Sequence, residues 1–319
     1  MIPAVAEHKP VMLLETLHHL VWRPDGLYVD GTFGGGGHAG ALLREYPQAR
    51  LIGLDRDHAA IVRGRVLQAE IGDERLRLVQ GSFAELASLL DSIGAGTIDG
   101  LLLDLGMSSF QLDDFNRGFA FRLDGPLDMR FDQKQGETAA DLLVRLDQES
   151  LADIIYRYGE ERRSRQIARV IVETREATPI VSTAQLAALV ERVVGRRTGR
   201  GHPATRTFQA LRVAVNEEFI AVERVLHQAV ERLSDGGRLV VIAFHSLEDR
   251  IVKTFIANQS ATCVCRPEQI ICTCDTVPTL RKVGSSKKPS TLEQEGNSRS
   301  RSAIMRVAER LPRTGTVTS

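Results

Sequence analysis

Cysteine is nearly absent. The chain has only Cys263, Cys265, Cys272 and Cys274, all close together. A disulfide framework is thereby excluded elsewhere, as expected of a protein in a reducing cytoplasm. Long apolar runs are missing too. None approaches the roughly 18 residues of a membrane span, and residues 1–15 lack the apolar core and small-residue cleavage site of a signal peptide, so no membrane partner is expected. Nor is there an excess of one charge, since Lys plus Arg and Asp plus Glu number 41 each. The whole chain therefore exerts no net pull on nucleic acid. What remains is an ordinary globular composition over 319 residues, 43% hydrophobic and 26% charged, long enough for two domains of about 100 to 200 residues each.

Apolar runs at 27–30, 51–54, 76–79 and 98–103 each stop at an Asp or a Gly, and the segments 39–46, 58–69 and 83–93 between them have helix-like spacing. That alternation predicts βαβ units and a parallel sheet. It resumes late in the chain. Phe208, Leu211, Val215, Phe219, Val222, Leu226, Val230 and Leu233 fall three or four apart and predict one long helix packed on the sheet. A turn at Asp235, Gly236 and Gly237, a strand over 238–244 and a helix over 247–258 should follow. Between these parts, residues 112–201 lack strand-like runs. They suggest helices rich in Arg and Glu over 142–146, 151–158 and 161–176, and one that starts at a Ser182/Gln185 capping box and stops at Gly195. The expected organisation is an α/β domain from residues 1–111 and 202–319, with a helical domain of residues 112–201 inserted in it. The stretch 284–302 is polar and of low complexity.

Charge is unevenly spread. Arg192, Arg196, Arg197, Arg200, Arg206 and Arg212 lie in a segment with no acid, and the tail 281–313 is also basic. Such patches can track phosphate backbones, or they can be solvated faces and a floppy tail.

The chemistry concentrates at strand ends. Asp30-Gly31-Thr32-Phe33-Gly34-Gly35-Gly36-Gly37-His38 runs from the first strand into the first helix. Its glycines permit positive φ and close approach of a ligand to main-chain N–H groups, at the place where open α/β sheets bind ligands. Asp55 ends the second strand, where a carboxylate can accept from both hydroxyls of an adenosine ribose. Phe83 follows the third and offers an apolar face to adenine. These three features fit a nicotinamide cofactor as well as S-adenosylmethionine. The fourth strand ends in Asp104-Leu105-Gly106-Met107-Ser108-Ser109, an acidic residue suited to an amine nucleophile.

Several longer stretches carry a resemblance. Asp30-Gly31-Thr32-Phe33-Gly34-Gly35-Gly36-Gly37-His38, Leu102-Leu103-Asp104-Leu105-Gly106-Met107-Ser108-Ser109, Gly125-Pro126-Leu127-Asp128-Met129-Arg130, His202-Pro203-Ala204-Thr205-Arg206-Thr207-Phe208 and Phe244-His245-Ser246-Leu247-Glu248-Asp249-Arg250 resemble the bacterial small-subunit ribosomal RNA cytosine-N4 methyltransferase family. The resemblance extends from residue 8 to about 309. It implies a Rossmann-like class I S-adenosylmethionine-dependent methyltransferase fold with an inserted helical domain. It implies methylation of a cytidine N4 in the decoding centre of 16S ribosomal RNA, within the small ribosomal subunit. By that resemblance Gly36, Gly37, His38, Asp55, Phe83, Asp104 and Gln111 match the family's S-adenosylmethionine contacts. Gly35 departs slightly, since relatives carry a bulkier residue there.

Cytosine N4 is a poor nucleophile because its lone pair is delocalised into the ring, so the enzyme must orient the amino group and take up a proton. The base must also leave its stack to reach the methyl donor. Asp104 is the first candidate for these tasks. His245, after the fifth strand, is the second, unless it only completes a turn whose capping box is Ser246 and Asp249. Arg196, Arg197, Arg200 and Arg206 are candidate RNA-phosphate contacts. The C-x-C spacing of the cysteines is less typical of zinc than C-x-x-C, and no metal is expected. A nicotinamide-dependent oxidoreductase and a non-catalytic ribosome assembly factor are the rival functions. Oligomeric state stays open, a homodimer included.

Overall fold

The structure, a computed structural model, describes residues 10–122, 124–195, 201–265, 269, 271 and 273–313. Among these, seven strands form one sheet: β1 (Leu27–Asp30), β2 (Arg50–Asp55), β3 (Leu76–Gln80), β4 (Ile98–Asp104), β5 (Leu233–Ala243), β6 (Leu280–Lys282) and β7 (Ile304–Arg310). Their order is β3-β2-β1-β4-β5-β7-β6. The pairs from β3 through β5 are parallel, and β7 runs antiparallel to both β5 and β6.

Side chains alternate between two apolar layers, as the period of two in a strand requires. Val29, Leu101, Leu103, Leu239 and Val241 enter one core with Leu86, Val222, Leu226 and Val252. Tyr28, Leu102, Val240 and Ile242 enter the other with Leu17, Leu20, Leu42 and Leu43. Both faces being covered, the central strands are continuous apolar runs, which is why they were easy to find in the sequence.

Contacts divide the chain into two units, Met1–Gly106 with Ile220–Ser319, and Met107–Phe219. The second is helical, with helices Ala139–Arg145, Gln148–Gly159, Ser164–Ala177, Thr183–Val194 and Thr205–Asn216. Its core includes Leu142, Leu151, Ile155, Ile167, Leu186, Phe208 and Leu211. It thus reaches Phe219, where composition alone suggested residue 201.

The single long helix expected across residues 208–233 is instead two, Thr205–Asn216 and Glu218–Arg232. Glu217 between them takes φ 51°. The break is held by polar groups. Arg212 pairs with Glu218 through two buried hydrogen bonds of 2.7 and 2.9 Å, and the Asn216 amide donates to Met129 O at 2.7 Å and accepts from Phe131 N at 2.8 Å. Apolar spacing passes over a one-residue interruption, so the periodicity concealed it.

Two other expectations are corrected. The turn at Asp235, Gly236 and Gly237 lies inside β5 as an irregularity, the pairing slipping from Ile98 with Leu233 to Gly100 with Arg238. The polar tail is ordered as a helix Thr291–Gly296, a 3-10 helix Ser298–Ser302 and strand β7. Several of its arginines have partners on the fold: Arg306 pairs with Asp249 at 2.6 Å, and Arg281 with Glu309 at 2.5 Å. Arg310 donates to Val230 O and Thr279 O.

Candidate active site

The strand order reverses between β1 and β4, and open sheets bind ligands at such a point, outside the carboxyl ends of the strands. Three aspartates stand at those ends: Asp30 on β1, Asp55 on β2 and Asp104 on β4. The loop after β1 links them. Asp30 Oδ1 accepts from Thr32 N at 3.1 Å, and the Thr32 hydroxyl oxygen accepts from Asp104 N at 2.7 Å. Gly34 N donates to Asp55 Oδ2 at 2.8 Å, and Asp57 N to Asp55 Oδ1 at 2.8 Å.

The glycines have divided duties. Gly34 and Gly36 need positive φ, at 54° and 74°, which side chains beyond glycine rarely adopt. Gly36, Gly53 and Gly64 also make room for the buried Phe33 ring, since a Cβ on any of them would lie 2.4 to 2.7 Å from it. Much of the glycine signal thus serves packing beneath the loop. A Cβ on Gly37 would meet Pro10 at 2.5 Å. Gly36 precedes helix Gly37–Glu45, which puts His38 in its first turn.

His38 is buried, with Nε2 3.6 Å from Asp104 Oδ2. Neither His38 nitrogen nor Asp104 Oδ1 has a hydrogen-bond partner among the described residues. A buried polar atom left this way costs about 1 to 3 kcal/mol. Burial pulls the imidazole down, but Asp104 and Asp30 outweigh it and hold His38 above its ordinary pKa. Burial raises Asp30 to about 6 despite the nearby His38, and raises Asp55 to about 6 against the N–H donors of Asp57 and Gly34.

Phe83 opens a 3-10 turn after β3, and its Cβ would be 3.4 Å from a Cβ placed on Gly31. It therefore stands beside the loop after β1. Gln111 lies in the helical unit, buried, where its side chain accepts from Ser108 N at 3.1 Å in a capping box. Arg206 is exposed and donates to Glu160 O at 3.0 Å. Arg196, Arg197 and Arg200 lie outside the described residues.

His245 follows β5, which pairs with β4 through Ile242 and Asp104. The cap of helix Ser246–Gln259 is His245 with Glu248, where the sequence suggested Ser246 with Asp249. Glu248 accepts from Phe244 N at 2.9 Å and lies 3.0 Å from His245 Nε2. A histidine acting as an N-cap is uncommon beside Ser, Thr, Asp and Asn, which is why sequence rules passed it over. They also passed over Asp30 and Thr32 as polar links. The signal available was the Asp-Gly-Thr directly after a strand.

This sheet order, with β7 antiparallel within it and its switch point lined by carboxylates, is the architecture of class I S-adenosylmethionine-dependent methyltransferases. A profile of the MraW methylase family matches residues 5–311, and the chain belongs to that family. It is 50% identical over 315 residues to the ribosomal RNA small subunit methyltransferase H of Thermomicrobium roseum, covering 98% of this chain and 96% of that one. To the protein of the same description from Dechloromonas aromatica it is 49% identical over 307 residues, covering 95% and 98%. No helix among the described residues is long and apolar enough to cross a membrane.

Proposed function

We propose that the protein transfers a methyl group from S-adenosylmethionine to the N4 amino group of a cytidine in small-subunit ribosomal RNA, in the cytoplasm. The observation that carries this reading is the pair of buried His38 and partly buried Asp104, with unused hydrogen-bonding atoms beside Asp30 at the β1–β4 switch point.

The donor set fits S-adenosylmethionine. Carboxylates at three strand ends attract a sulfonium and accept from hydroxyls, whereas the pyrophosphate of a dinucleotide would meet them as like charge. That disfavours the nicotinamide rival. Each Asp55 oxygen holds one N–H and keeps a second lone pair for a ribose hydroxyl. Phe83 supplies an apolar wall beside Gly31, and Gly36, Gly37 and His38 line the start of the first helix after the loop. Gln111 is assigned to the same cofactor on family resemblance.

S-adenosylmethionine supplies an electrophilic methyl carbon. The chain's task is to hold the amino group in line with it, and fixed orientation is worth about 7 to 11 kcal/mol of a barrier. The Asp104 carboxylate accepts from the amino N–H and receives its proton once the nitrogen becomes strongly acidic. His38, with Nε2 3.6 Å from Asp104 Oδ2, keeps that carboxylate aimed. His245 is committed to the helix cap, so we assign it positioning of the β5 end. Arg196, Arg197, Arg200 and Arg206 contact RNA phosphates.

The test is mass spectrometry of ribosomal RNA nucleosides from a strain lacking the protein, complemented with wild type or with Asp104→Ala. Wild type should restore N4-methylcytidine and Asp104→Ala should not. Restoration by Asp104→Ala would refute the assignment of Asp104. Unchanged N4-methylcytidine on deletion would refute the substrate.

A further inference from the structure

Helix Ser246–Gln259 leads into β6 through a connection at residues 260–279 whose ends are tied together. Thr279 N donates to Gln259 O at 2.9 Å, and the Thr279 hydroxyl meets Gln259 Oε1 at 2.5 Å. A connection this long, with no helix or strand among its described residues, is uncommon in a compact domain and needs its own source of order. Among the described residues apolar burial does not provide it, because Val264, Ile271 and Val277 are 65%, 75% and 56% exposed.

Sulfur offers another source. The Sγ atoms of Cys263, Cys265 and Cys274 all lie within 4.8 Å of one another, and those of Cys263 and Cys274 are 3.7 Å apart. A disulfide is about 2.0 Å long, so this pair is not bonded. Zinc–sulfur bonds of about 2.3 Å at tetrahedral angles set a sulfur–sulfur edge of about 3.8 Å. The Cys263–Cys274 separation is close to that edge. The backbone also favours thiolates here: Val264 N donates to Cys274 Sγ and Cys265 N to Cys263 Sγ, each at 3.4 Å. Hydrogen bonds to the charged form of an acid stabilise it, and the thiolate is the form that binds metal. Soft thiolates select zinc over the magnesium and calcium that prefer oxygen ligands.

We propose that Cys263, Cys265 and Cys274 together bind one zinc ion, which orders the 260–279 connection. The sequence pointed away from a metal because it was judged by the spacing within each C-x-C pair. The structure brings Cys274 onto the first pair, so the ligands converge across the connection. Binding energy at such a site is ordering energy for the segment that carries the ligands. The assignment rests on three thiolates; Cys272 lies outside the described residues.

The test uses the full chain, purified under reducing conditions without chelator and equilibrated with zinc before desalting. About one zinc per chain is expected by elemental mass spectrometry. Cobalt should replace it with a thiolate-to-cobalt charge-transfer absorption, and zinc should slow alkylation of the wild-type thiols. The Cys263→Ser/Cys265→Ser/Cys274→Ser variant should lose the metal and the absorption while keeping a cooperative thermal transition. If that variant does not fold, alkylation of the wild type decides alone. Several results would overturn the proposal: no retained zinc, zinc content unchanged in the triple variant, alkylation insensitive to zinc, or a Cys263–Cys274 disulfide recovered from the reduced protein.

Discussion

His38 Nε2 lies 3.6 Å from Asp104 Oδ2, although the two residues come from different elements, the first helix after the glycine loop and the end of β4. Thr32 joins the same corner by accepting from Asp104 N. Asp30, buried beneath them, adds a carboxylate that the fold tolerates at a cost.

That cost gives a pH prediction. Asp30 has a folded-state pKa of about 6 against an ordinary 3.8, so the native state binds its proton more tightly than the unfolded chain does. The sign follows: this group's penalty is absent below pH 4, grows as pH rises through 6, and then levels off. Asp30→Asn removes the charge and keeps an acceptor for Thr32. It should stabilise the protein at pH 8 by up to about 3 kcal/mol, and by much less at pH 4. Urea denaturation at the two pH values measures this; a variant less stable than wild type at pH 8 would contradict it.

Asp55 holds Gly34 N and Asp57 N while offering lone pairs to the cofactor. Asp55→Ala should weaken S-adenosylmethionine binding at least tenfold, at about 1 to 3 kcal/mol for each acceptor lost. Calorimetric titration checks it, and unchanged affinity would remove the ribose assignment.

The cap at His245 separates two roles. Asn is among the best N-cap residues, so His245→Asn should keep the helix start and retain methyl transfer. Glu248→Ala strands the N–H groups of Phe244 and His245 and should cost about 1 to 3 kcal/mol. A collapse of kcat in His245→Asn, with KM and melting temperature unchanged, would instead make His245 a proton carrier.

Replacing Arg196, Arg197, Arg200 and Arg206 together should weaken substrate binding. The log–log salt dependence should flatten by about 0.7 to 0.9 for each lost phosphate contact. Binding to ribosomal RNA or small subunits across a salt series reads this directly. An unaltered slope would mark these arginines as a solvated face.

The apolar runs of β1, β2 and β4 were legible because those strands are covered on both faces and so are largely apolar, a local property, while β3 at the sheet edge buries Leu76 but exposes Arg77. The Ser182/Gln185 box and the Gly195 stop were legible for the same reason, since a cap is closed by residues three or four apart. The candidate site was half legible. Asp55 and Asp104 stand out as carboxylates at strand ends, while nothing near His38 in sequence announces that it meets Asp104.

Sequence alone determined the family, the alternation of strands and helices, and the glycine loop, because each is written in residues close together along the chain. Tertiary structure decided the rest. It set the break at Glu217, the ordered basic tail, the His245 cap, the His38–Asp104 pair and the gathering of three cysteines. Each of these depends on which distant groups burial brings within a few ångströms, and on whether a buried polar atom finds a partner there.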